Sequence, residues 1–166
     1  MASWQEFEAQ APELAAAGWR LLGADGIAIG FLATVSRHGS PHLAPVCPIF
    51  AAGNVYLSVG AHTPKKVDLT HNGRFVLHAS LGREDEEFQI AGRAREVYAA
   101  SERGAVHQAI KFGAYNREDP VFLLDIQRCL SVVWQNVGRP DTRAIRKSWS
   151  AASGRVGESS WSLAGQ

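Results

Sequence analysis

The chain has 166 residues, 46% of them hydrophobic and 20% charged, so neither a disordered nor a fibrous architecture fits it. Its 17 Lys and Arg stand against 16 Asp and Glu, and the resulting net charge of +1 excludes a global electrostatic pull toward nucleic acid or an anionic membrane. A chain this long makes one ordinary domain, which buries roughly 70% of the surface its unfolded form exposes. The two cysteines, Cys47 and Cys129, lie far apart inside apolar stretches and read as buried reduced thiols, which points to the cytoplasm. No basic segment followed by an apolar run opens the sequence, so no signal peptide is expected. The most apolar window, residues 27–35, is too short to cross a bilayer. The expectation is a single domain over residues 1–150, helical over 1–22, with a loose Ser/Gly-rich tail at 151–166.

Ser3-Trp4-Gln5-Glu6 has capping-box spacing, in which a hydroxyl and a carboxylate satisfy each other's orphan backbone donors. The helix it opens is interrupted at Pro12. A second piece, over 12–22, sets Leu14, Leu21 and Leu22 on one broad apolar side, and Gly23 and Gly26 end it. Residues 27–36 are β-branched and apolar, as a buried strand should be. Arg37-His38-Gly39-Ser40 is a turn in which Gly39 can take positive φ. The returning strand, 41–50, carries Pro41, Pro45 and Pro48. Proline donates nothing to a sheet ladder, so this strand must be irregular or leave one edge free. A free apolar edge is a place for a flat ligand or a second subunit to dock.

Ala52-Gly53-Asn54 turns the chain into a third strand, Val55-Tyr56-Leu57-Ser58-Val59. Thr63-Pro64-Lys65-Lys66 is a helix start, with Thr63 as N-cap and Pro64 in the first helical position, and Asn72-Gly73 is its stop. A fourth strand covers 75–79. An exposed acidic loop is expected at Arg83-Glu84-Asp85-Glu86 and a long strand at 88–97. Ser101 is expected to cap a helix reaching about Lys111. Short strands at 121–126, 130–135 and 142–149 complete the chain. About six to eight short strands, mostly joined by tight turns, with about three or four peripheral helices, indicate an α+β, mainly β, antiparallel barrel-like domain.

Several sharp signatures are missing: a Walker phosphate loop, a dinucleotide glycine fingerprint, a paired-histidine zinc helix, Cys-x-x-Cys and a nucleophile elbow. His38 and His42 flank a turn, but no third ligand is evident, so no metal centre is expected. His62, His71, His78 and His107 are scattered and read as surface or satisfied core residues. The best local signal is Thr63-Pro64-Lys65-Lys66. A helix N-terminus offers unpaired N–H groups and a positive dipole end, and two ammonium groups add full charge. That makes a phosphate site, with a solvated lysine pair as the plain alternative. Adjacent helical residues point about 100° apart, so only flexibility in the first turn lets both lysines reach one phosphate. The five tryptophans suit stacking on a heterocycle or covering a subunit interface, although core packing is the simpler reading.

Phe31-Leu32-Ala33-Thr34-Val35, His38-Gly39-Ser40-Pro41-His42, Pro45-Val46, Val55-Tyr56-Leu57-Ser58, Pro64-Lys65-Lys66-Val67-Asp68-Leu69, Gly73-Arg74-Phe75-Val76-Leu77 and Gly92-Arg93-Ala94 follow one another in an informative order and spacing. Together they resemble the pyridoxamine 5′-phosphate oxidase-like, FMN-binding split-barrel family, over about residues 27–96 and more weakly to Trp149. The resemblance implies an antiparallel split β-barrel with peripheral helices, and a homodimer with FMN in the groove where two barrels meet. It implies that Lys65 and Lys66, preceded by Thr63, hold the FMN phosphate. Ala44, Pro45 and Val46 would run beside the isoalloxazine. Ser58 and Val59 would meet the ribityl chain and phosphate, Glu87 falls near a flavin-contacting position, and Trp149 would reach the partner's flavin. True oxidases of this family carry a phosphate-binding arginine where Ala44 stands and an arginine- and proline-bearing C-terminal motif that 155–166 lacks. Both departures point away from pyridoxamine phosphate as the substrate.

The function these readings lead to is a flavin-dependent oxidoreductase acting on a small molecule by hydride transfer at flavin N5. Backbone N–H groups near Val46 would stabilise charge at the N1–O2 edge, and no side-chain acid or base stands out. The same layout admits the deazaflavin F420, whose anionic tail Arg37, Lys65 and Lys66 would meet. It also admits a haem- or flavin-binding module without turnover, with His62, His78 or His107 as axial ligand. A purely structural domain would bind no chromophore.

Overall fold

The capping box forms as the sequence requires: the Ser3 hydroxyl accepts from the Glu6 N–H and the Glu6 carboxylate accepts from the Ser3 N–H. It starts α1 (Trp4–Gln10), and Pro12 opens α2 (Pro12–Leu21). The computed structural model describes residues 1–23, 27, 29–113 and 115–162; the expected glycine stop at Gly26 and part of the first strand therefore lie outside the described residues. Beyond the helices come β1 (Gly30–Val35), β2 (Pro41–Val46), β3 (Ile49–Ala51), β4 (Asn54–Ser58) and α3 (Pro64–Asn72). They are followed by β5 (Arg74–Ala79), β6 (Glu87–Glu96), α4 (Ala100–Ala109), β7 (Val121–Gln135), β8 (Arg143–Ser150) and β9 (Arg155–Ser162).

Every strand pairing is antiparallel, in the order β2-β1-β5-β6-β7-β4-β3, with β8 and β9 added beside β7. The α+β antiparallel architecture is the expected one. What makes it a split rather than a plain barrel is β7. It spans 15 residues, and its first residues pair with β4 while Arg128–Gln135 pair with β8. The sequence suggests two strands here because Gln127-Arg128 interrupts the apolar pattern. In the structure Gln127 is the extra residue of a β-bulge: Ala91 pairs with Arg128, Gly92 with Ile126, and the strand runs on. Gly92 sits at that bulge because a Cβ there would overlap the Asp125 carbonyl oxygen.

The expected strand 41–50 is broken at Cys47-Pro48 into β2 and β3, which take the two ends of the strand path. Proline thus produces both the irregularity and the free edge. Three other expectations need correction. Ser101 does not cap α4, which begins two residues earlier, after Ala99, with no side-chain cap and closes at Ala109. Its first turn is held instead by Tyr56, whose hydroxyl donates to Glu102 at 3.0 Å. The acidic loop is not fully exposed: Glu86 is buried and takes a two-pronged contact from Arg20 at 2.6 and 2.7 Å. Residues 155–162 of the expected loose tail form β9, paired with β8 at every position. All of β9 is exposed, so backbone bonds hold it and no apolar alternation announces it.

The core lies between α1–α2 and the barrel strands. Trp4 stacks edge-on against Phe7, Trp19 and Phe50 at 5.0 to 5.5 Å. Gly18 lets α2 approach this cluster, since a Cβ there would strike Phe88 and Trp4. Gly92→Ala should destabilise the fold by about 3 kcal/mol, seen as a lower urea midpoint at unchanged slope. Gly104→Ala, in α4 with open space around it, should instead be neutral or stabilising by up to about 1 kcal/mol.

Candidate functional site

The α3 N-terminus is built as the sequence indicates. Thr63 is the N-cap, its hydroxyl accepting from the Lys66 N–H at 3.4 Å and donating to the Gly60 carbonyl at 2.8 Å. Gly73 ends the helix in the left-handed conformation at φ 65°. Since α3 packs across β1 and β2, its first turn stands at the free edge of β2. Between them lies a cavity of about 310 Å³, walled by Leu32 and Thr34 from β1, His42, Leu43 and Ala44 from β2, and Lys65 from α3.

The structure brings Ala44 and Lys65 to this one cavity, both half-buried. Thr63 and Lys66 flank it on α3, and Pro45 and Val46 continue β2 away from it. Ser58 ends β4 and does not line the cavity; its hydroxyl oxygen is buried, with no hydrogen-bond partner among the described residues. Val59 is fully buried and its N–H is already taken by the Pro120 carbonyl at 2.9 Å. Glu87 opens β6 opposite Val132 and does not line the cavity. Trp149 does not either: it is 1% exposed, and its ring packs on Phe7 at 4.9 Å. As placed, that ring fills the core and is not free to stack on a partner's cofactor. It also borders a groove of about 610 Å³ along β6–β9, lined by Arg128, Arg146 and Arg155.

Sequence reasoning missed the polar cluster beneath the cavity. Asp68, 3% exposed on α3, accepts from the Thr34 hydroxyl at 2.7 Å and lies 2.7 Å from His42 Nδ1 through the same oxygen, Oδ2. Half of this was readable: a turn centred at His38 puts Thr34 opposite His42, as the register has it. The convergence of Asp68 was not, because it depends on how α3 crosses the hairpin. His38 is engaged elsewhere, accepting from Arg37 Nε at 2.9 Å. Of the expected axial-ligand candidates, His62 is exposed, His78 Nδ1 meets the Ala79 carbonyl at 2.6 Å, and His107 stacks on Tyr115. Burial pushes the Cys129 thiol up, so it is an inert core group, and both cysteines are unbridged. No helix among the described residues is long and apolar enough to cross a membrane.

No protein-family model and no curated protein matches the chain. Solved structures do resemble it. A haem-binding protein of Mycobacterium smegmatis superposes with TM-score 0.60 at 20% identity, covering 93% of this chain. The chain spans 60% of that protein's length. A NimC/NimA family protein of Clostridium acetobutylicum gives TM-score 0.58 at 12% identity, covering 95% of both chains. A candidate pyridoxamine 5′-phosphate oxidase of Listeria innocua gives 0.58 at 16% identity, covering 70% of this chain and 96% of its own.

Thr34→Val should lower stability by about 1–2 kcal/mol in urea unfolding, because it strips one hydrogen bond from a buried carboxylate. An unchanged midpoint would mean that Asp68 does not depend on that hydroxyl. The structural likenesses, none above 20% identity, speak for the fold alone, an antiparallel α+β sheet of the split-barrel kind.

Proposed function

We propose that the protein is an FMN-binding oxidoreductase that works as a homodimer on a small molecule, the cavity at the α3 N-terminus receiving the cofactor. The observation that carries this reading is the cavity itself, which combines an apolar wall (Leu32, Leu43, Ala44) with the Lys65 ammonium at a capped helix start. An amphiphilic ligand with a flat ring system and a terminal phosphate needs that pairing. Bound there, the flavin would supply hydride exchange at N5; the protein supplies position, charge and exclusion of water. Lys65 and Lys66 neutralise the phosphate. β2 ends the strand path, so its outer edge stands open beside the cavity among the described residues. The apolar walls keep solvent from the ring.

The dimer reading is supported by the outer face of the sheet. Leu43, Ala33, Val76 and Ala91 stand in register across β2, β1, β5 and β6, and Phe31 beside them is 41% exposed. An apolar row of this kind suits burial against a second copy.

An absorbance spectrum of the purified protein, before and after heat release of any ligand, tests the cofactor. Flavin bands with FMN in the supernatant are expected; an F420 or haem spectrum would replace FMN, and a protein that takes up none of the three would end the reading. Replacing both Lys65 and Lys66 by Ala should weaken FMN about 10- to 100-fold in a titration. Ala33→Glu should convert a sedimenting dimer to the 18.0 kDa monomer. A wild-type monomer would contradict the dimer.

A further inference from the structure

Thr34 and His42 face each other across the β1–β2 ladder, and both side chains close on one oxygen of Asp68. A buried carboxylate needs donors, so Nδ1 of His42 carries the hydrogen between them. That assignment leaves Nε2, on the opposite edge of the ring, as the nitrogen His42 can offer to a ligand. The His42 side chain is 44% exposed and lines the same cavity as Lys65, and among the described residues neither Nε2 nor the Lys65 ammonium has an ion-pair partner. Ala44, two residues further along the strand, contributes only a methyl group, so no other β2 side chain duplicates the imidazole. Fastening α3 to the sheet does not require a ring whose far nitrogen is left open at a cavity. A carboxylate behind an imidazole, fixing its orientation, is the arrangement that directs the other nitrogen at a ligand.

We propose that His42 is an anion contact of this cavity, held by Asp68 so that Nε2–H donates to an oxygen of the same phosphate or like oxyanion that Lys65 meets. The inference rests on the flavin reading for the identity of the ligand, a phosphate monoester, and on this chain's own geometry for the contact. Asp68 is then a positioning residue. The ring that meets the anion is protonated on both nitrogens, one N–H directed at Asp68 and one at the ligand.

The test follows the histidine rings of the full-length, ¹⁵N-labelled protein by NMR at about pH 7.5, where a free imidazole is mostly neutral. His42→Gln identifies the His42 signals, and FMN, riboflavin and inorganic phosphate are the titrants. FMN and inorganic phosphate should drive the His42 Nε2 resonance toward its doubly protonated position, and riboflavin should not. His42→Gln and Asp68→Asn should each weaken FMN about tenfold while leaving riboflavin binding unchanged. If FMN binds the wild type, His42→Gln binds it equally well and the ring signal stays put, the anion contact is overturned while the flavin reading stands. If the wild type binds no FMN, the flavin reading fails. Inorganic phosphate then decides: a moving His42 signal supports the contact, and a still one overturns it.

Discussion

Buried backbone groups on both edges of a long central strand need partners, and in this chain that constraint falls on β7. Its 15 residues outrun any single neighbour on one side, so the sheet forks there: β4 and then β3 take one end, β8 and β9 the other, while β6 follows the opposite edge from Phe122 to Val132. Both branches meet the N-terminal helices: the Gln5 N–H of α1 donates to the Gly53 carbonyl before β4, and Trp149 on β8 packs against Phe7. The fork also sets β2 and β3 as the ends of the path, joined through Cys47-Pro48. The free edge of β2 therefore follows from pairing elsewhere and from the prolines that keep further strands away.

The candidate site draws its character from that edge. A central strand would have a neighbour where this cavity opens. At β2 there is room for the α3 N-terminus on one side and for a ligand or a second copy on the other. The site's polarity is arranged in depth: Asp68 and Thr34 lie beneath, shielded and mutually bonded, and His42 and Lys65 stand at the rim. Asp68, buried beneath, holds His42 in position without standing at the rim against an anion above it. The apolar wall opposite suits a ring system. It is on these elements that we base the proposal of a ligand with one anionic end and one flat end, FMN.

Much of this was legible before any coordinates. The capping box at Ser3, the restart at Pro12, the Thr63 cap and the Gly73 stop depend on contacts within a few residues, and local sequence states them directly. The misses have a common cause, which is dependence on distant partners. The bulge at Gln127 resembles a strand break because nothing local reveals that Gly92 lies across from it. β9 has no apolar face, so only its pairing with β8 makes it a strand. Glu86 reads as one more loop acid until Arg20 arrives from α2. Within the site, Lys65 and Ala44 were visible, whereas Trp149 turned out to fill the core and Asp68 was silent. A helical aspartate three residues after a lysine says nothing by itself about which face will cross a hairpin.

The central claim is that the cavity between the β1–β2 edge and the α3 N-terminus is where an anionic cofactor sits. A crystal structure of the protein grown with FMN tests it most directly. The account predicts the phosphate within hydrogen-bond distance of Lys65 and His42, the isoalloxazine along Ala44 to Val46, and a second protomer closing the ring from the outer face. FMN bound in the groove outside β6–β9, or a protein that crystallises from saturating FMN with the α3 cavity filled only by water, would contradict it.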